Sequence, residues 1–221
     1  MSDGPPAHRL RRRLIRIAAT VVASGLAVSG CMTGERPRLV EGAATTGDPA
    51  IDAVLAELDD VASATFTATY DIVNRFGPVE RRATVVQASP TRRSITIGDV
   101  RFIVDGKETA SCQLGGAAGR CTEVISAEMV SDVQVTPDFY AASTATRLRR
   151  DATRLAGPTE ASTVVIAGRD ATCAAVPVEG GTVTYCALDS GVVARLDGAD
   201  VSIELIEYRD TPEERYFRRR R

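Results

Sequence analysis

The chain has 221 residues, 27 basic and 29 acidic, with 44% hydrophobic residues and a formal net charge of −2. That balance gives no basic footprint for a nucleic acid. The absence of tryptophan leaves tryptophan stacking platforms without their residue, and the single histidine, His8, lies close to the N-terminus.

The N-terminus has the parts of a secretory signal. His8, Arg9, Arg11, Arg12, Arg13 and Arg16 form a basic region, and an uncharged apolar run follows from Ile17 to Ser29. Those 13 residues are too few to cross a hydrocarbon core of about 30 Å as a helix. Val28-Ser29-Gly30-Cys31 then resembles the bacterial lipobox. The resemblance implies cleavage after residue 30, lipid on Cys31 and anchoring on the outer side of a cell membrane. A diacylglyceryl group supplies the two chains that stable anchoring needs. Arg11-Arg12-Arg13-Leu14-Ile15-Arg16 also looks like a twin-arginine export signal, and the ordinary route stays open. Residues 31–48, with Gly34, Pro37, Gly42 and Gly47, read as a tether.

Residues 1–30 hold five arginines and one aspartate, so the remaining 191 residues carry 22 basic and 28 acidic groups. That length suits one domain, placed at 49–209, with 210–221 as a basic C-terminal tail. Lys107 is the only lysine against 26 arginines, a bias that suits a high-GC, actinobacterial genome.

The domain opens with Asp48-Pro49, an N-cap followed by proline. Ile51, Val54, Leu55, Leu58 and Val61 recur at helical spacing, which predicts a helix over 49–63. Period-2 alternation then predicts a strand over 66–76, with Phe66, Ala68, Tyr70, Ile72 and Phe76 on one face. Gly77-Pro78, Ser89-Pro90 and Asp105-Gly106 separate further strands at 79–88, 93–97, 100–104 and 110–114. Val124, Ile125, Met129 and Val130 suggest a short helix. Thr136-Pro137-Asp138 opens a longer one with Ala141, Ala145, Leu148, Ala152 and Leu155 as its apolar stripe, ending at Gly157-Pro158. Strands resume at 164–168, 171–178, 183–188, 192–196 and 201–208. The predicted class is α+β: an antiparallel sheet of about ten strands packed against an N-terminal helix and a central helical insert.

Setting Cys31 aside leaves Cys112, Cys121, Cys173 and Cys186, an even number that suits two disulfides outside the cytoplasm. Three connectivities are open. Val178-Glu179-Gly180-Gly181 is a hairpin turn signal, and a two-residue loop at Glu179-Gly180 sets Cys173 opposite Cys186. Cys112 and Cys121 then close a glycine-rich loop. A structural metal is disfavoured, because no CxxC occurs and no histidine lies beyond His8. No cofactor is expected, and nothing in the chain marks an enzyme.

The plan of lipobox, tether, helix, meander, helical insert and second meander resembles the LolA-like and LppX/LprG-like envelope lipoproteins. Phe66-Thr67-Ala68-Thr69-Tyr70 and Tyr185-Cys186-Ala187-Leu188-Asp189-Ser190-Gly191-Val192-Val193 also look similar. The resemblance implies a curved half barrel around its helices, and an apolar cavity that holds a lipid or acyl chain. Phe66, Tyr70, Ile72, Phe102, Val104, Phe139, Leu148 and Leu155 are the candidate lining residues, and plain core packing is the competing role for each. Two functions stand: a monomeric carrier of an apolar ligand, or a solid-cored lipoprotein that docks to an envelope protein. The tail, with Tyr216 and Phe217 among arginines, reads either as a solvated end or as a contact for anionic lipid.

Overall fold

The structure is a computed structural model that describes residues 45–77, 79–115 and 120–219. The lipobox, Cys31 and most of the tether lie outside the described residues. The chain divides into two units at residue 42, and the second holds every element below.

Eleven strands form one antiparallel sheet. β1 (Phe66–Asn74), β2 (Val79–Ser89), β3 (Arg92–Ile97), β4 (Val100–Asp105), β5 (Glu108–Gln113) and β6 (Arg120–Thr122) form one meander. β7 (Glu160–Ile166), β8 (Arg169–Val178), β9 (Gly181–Leu188), β10 (Val193–Asp197) and β11 (Val201–Arg209) form the other. The first and last strands join them, so the spatial order is β6-β5-β4-β3-β2-β1-β11-β10-β9-β8-β7. Thr67 pairs with Arg209 and Asn74 with Val201, with one irregularity between Thr69 and Tyr70. The architecture is an α+β half barrel around its helices.

α1 (Pro49–Asp59) starts where Asp48 accepts hydrogen bonds from the backbone N–H of Ala50 at 3.0 Å and Ile51 at 3.1 Å. Ile51, Val54, Leu55 and Leu58 are buried. Each such side chain contributes about 1.5–3 kcal/mol. The helix tightens into a 3-10 turn over Asp60–Ser63. The buried Gln87 holds that end, donating to Val61 O at 2.6 Å and Ala64 O at 3.0 Å, and accepting from Tyr140 Oη at 3.3 Å. α2 (Ala127–Val133) is capped by Ser126 and stops at Gln134 in the left-handed region.

The long helix expected from Thr136 starts later and ends earlier, as α3 (Ala142–Ala152). Phe139, Tyr140 and Ala141 are all buried, and a helix cannot aim three successive residues at one core. They stay in turns instead, and Tyr140 O accepts from Val193 N at 2.8 Å. At the far end Leu155 leaves the helix and bridges Val178. β7 starts at Glu160 and stops at Ile166, short of the expected Gly168. Ala167 and Gly168, with φ of 49° and 77°, make the turn that sets Ile166 opposite Arg169.

The described part of the tail, residues 210–219, packs on the sheet. Arg92 forks onto Glu214 with two hydrogen bonds of 2.8 Å and lies over the Phe217 ring. Ser94 Oγ donates to Tyr216 O at 2.7 Å, and Arg219 pairs with Glu108 at 3.0 Å. The segment lies across β3, where the sequence suggests either a solvated end or a lipid contact.

Candidate functional site

Six of the eight candidate lining residues sit in one buried cluster: Phe66, Tyr70, Ile72, Phe102, Phe139 and Leu148. Phe66 and Tyr140 meet edge to face at 5.9 Å, as do Tyr70 and Phe139 at 5.1 Å. The Tyr70 hydroxyl is buried and has no hydrogen-bond partner among the described residues. Burial, then the neighbouring Tyr140 and Tyr208, push its pKa well above the usual tyrosine value. Two candidates part from the group. Val104 is half-buried. Leu155 is 39% exposed, because the backbone bridge to Val178 takes it off the helix stripe.

The cleft nearest this cluster has a volume of about 340 Å³. Its wall comes from four places: the β1–β2 turn with Phe76, the α2–α3 loop with Val135 and Phe139, the face of α3, and β10–β11 with Leu196, Val201 and Ile203. Phe139 is the only one of the eight candidates in that wall, so it links the core to the cleft. The period-2 alternation puts Phe76 on the same face of the first strand as Phe66 and Tyr70. β1 ends at Asn74, which leaves Phe76 in the turn and 86% exposed at the mouth.

The polar side of the cleft was not found from the sequence. Arg147 forks onto Asp200 at 2.8 and 2.6 Å. Burial works against the charge on Arg147, and the hydrogen bond and charge of Asp200, with Tyr185, outweigh it and raise its pKa. The same hydrogen bond holds the Asp200 carboxyl below the usual carboxylate range. One turn along α3, the buried Asp151 accepts a short hydrogen bond from Tyr185 Oη. Burial first, and that bond second, push the Tyr185 hydroxyl far up. Arg75 extends the network, donating to Gly198 O and to Asp197 Oδ1, both at 2.5 Å. The i, i+4 spacing of Arg147 and Asp151 was the available sequence signal. Their partners lie 34 to 53 residues away and gave none.

The cleft thus has an apolar floor and a wall of already neutralised charges, beside an exposed aromatic ring. Disulfides join Cys112 to Cys121 and Cys173 to Cys186. Cys173 faces Cys186 directly across β8 and β9. No group of metal-holding side chains occurs among the described residues. No helix among them is long and apolar enough to cross a membrane.

No family model and no curated protein sequence matches the chain. Among solved structures, the crystal structure of MucB superposes with a TM-score of 0.53 at 15% identity, covering 78% of this chain. The two share a fold. The chain spans a little under two thirds of the MucB chain, at 64%. LprF from Mycobacterium bovis aligns over 75% of this chain and 95% of its own, with a TM-score of 0.43 and 12% identity. A LolA superfamily protein from Nitrosomonas europaea aligns over 76% and 97%, with a TM-score of 0.34 and 10% identity.

Proposed function

We propose that the protein is a non-catalytic envelope lipoprotein, anchored through Cys31, that holds an apolar chain in the cleft beside Phe139. The observation that carries this reading is the wall of that cleft. Phe76, Val135, Phe139, Leu196, Val201 and Ile203 line it, and the half-buried Arg147 and Asp200 beside them pair with each other. A site of a few hundred Å³ with mostly apolar walls suits a small ligand or part of a lipid. The shared half-barrel fold agrees with such a role, and the lipobox supplies the location.

The test uses the chain with Cys31→Ser, exported from its host and examined by native mass spectrometry with lipid extraction. A co-purified acyl lipid, lost in a variant with Phe139→Asp that still folds, is the expected result. A ligand-free mass for the wild-type protein counts against a carrier. The anchor is tested separately: Cys31→Ser moves the protein from the membrane fraction to the soluble one. A second reading, docking of a protein partner, draws on the exposed Phe76 at the mouth. Under that reading Phe76→Ser abolishes partner capture, and no acyl lipid co-purifies with the chain that carries Phe76.

A further inference from the structure

The two edges of the sheet differ in how they are protected. An exposed edge offers unpaired backbone groups to any extended chain, and proteins blunt edges with short strands, charge, proline or bulges. β6 is blunted: it has three residues, begins with Arg120, and is tied to β5 by Cys112–Cys121. β7 has seven residues, Glu-Ala-Ser-Thr-Val-Val-Ile, without proline or lysine. Its register with β8 is regular from Glu160↔Ala175 to Ile166↔Arg169, without a bulge. Its outer edge pairs with no strand among the described residues. Val165 is 70% exposed there.

A groove of about 470 Å³ lies between this strand and the start of α1. Its walls include Ala50 and Ala53 on the helix side and Ala161 and Thr163 on β7, with Thr172 and Cys173 of β8 beside them. None carries a charge, and the small helix residues leave room for the inward side chains of an added strand.

We propose that the β7 edge pairs antiparallel with the β7 edge of a second copy, about a two-fold axis through Thr163. The backbone ladder requires an extended partner, and the sequence of β7 suits its own reverse. With Thr163 opposite Thr163, Ala161 faces Val165 and Ser162 faces Val164. Glu160, the one charge of the strand, faces Ile166 and has Arg169 one strand beyond, so it never meets its own copy. Like charges directly opposed would destabilise the pair. An isologous contact of this kind closes at two copies, and replaces the monomer expected from the sequence. It is independent of whether the cleft binds a ligand.

The test uses the chain with Cys31→Ser, measured by light scattering and sedimentation across a concentration series. The expected mass is twice that of one chain at high concentration. Thr163→Lys places two like charges on the axis and weakens dimerisation by at least about tenfold. Thr163→Glu does the same, and an equimolar mixture of the two variants restores the dimer. Thr163→Cys cross-links two copies on mild oxidation, whereas Ala161→Cys, displaced from the axis, does not. Circular dichroism checks that the variants fold, which the exposure of Thr163 favours. A wild-type monomer at every concentration overturns the proposal. So does a dimer indifferent to Thr163→Lys, or an edge that takes up other extended peptides while refusing its own copy.

Discussion

At the scale of the residue, Gly191 bears the clearest constraint. Its φ is +81°, and a Cβ there would lie 2.3 Å from Val61 N and 2.7 Å from Glu57 O. Both neighbours are backbone at the end of α1, so they have little room to yield. Gly191→Ala should cost about 2–4 kcal/mol from strain and overpacking together, read as a lower midpoint in urea. The Arg147–Asp200 pair makes a second prediction. The folded pKa of Asp200 lies below its unfolded value. Its contribution is therefore complete above about pH 4, the ordinary aspartate range, and is lost as pH falls through the lower folded value. Asp200→Asn should be less stable than wild type at pH 7, and the gap should narrow as pH drops below about 4. A gap that stays constant to pH 2 would mean that the pair does not act this way. Side-chain partners such as these are invisible in a chain read linearly, whereas Asp189-Ser190-Gly191 has the local composition of a turn.

At the scale of the element, the strands were legible because their faces alternate, and the turns because Gly, Pro, Asp and Ser cluster between them. Register followed wherever a two-residue turn fixed it. The Glu179-Gly180 turn sets Val178 opposite Gly181 and carries Cys173 to Cys186. Replacing both of those cysteines by alanine should cost about 2–4 kcal/mol, measured by chemical unfolding beside the intact chain. Errors concentrate where tertiary contacts override local pattern. Thr136-Pro137-Asp138 reads as a helix start, yet three successive buried residues keep the chain in turns until Ala142. Leu155 continues the helical stripe by spacing, yet the backbone N–H of its neighbour Ala156 donates to Pro177 O at 2.9 Å. The Ala167-Gly168 turn was missed because alanine seldom takes a positive φ. Neither sequence reading of the tail, a solvated end or a lipid contact, points to β3, because its anchors, Arg92, Ser94 and Glu108, lie more than a hundred residues upstream.

At the scale of the whole molecule, the decisive contact is β1 with β11. It joins two meanders that are each local in sequence, through strands separated by well over a hundred residues. Both strands lie in the middle of the sheet, with core residues Phe66, Ala68, Tyr70 and Ile72 on one and Ile203 and Leu205 on the other. A chain ending at Asp200 should therefore lose its cooperative unfolding transition entirely. A truncated protein that keeps a sharp transition by circular dichroism would show that the meanders fold alone. Slow folding is also expected, because the closing contact is so distant in sequence.

The sequence by itself determined the antiparallel α+β class, nearly all of the strands, the helix on Asp48-Pro49 and the apolar faces. Each of these is written in neighbours: a period, a cap or a turn. Val28-Ser29-Gly30-Cys31, which resembles a lipobox, is likewise a local pattern. The tertiary structure decided which apolar residues fill the core and which one reaches a cleft. It set Arg147 on Asp200 and Tyr185 on Asp151, folded the tail across β3, and put β7 last in the strand order of the described residues. Those outcomes depend on which distant strands lie side by side. Long-range pairing fixes that, and periodicity along the chain does not.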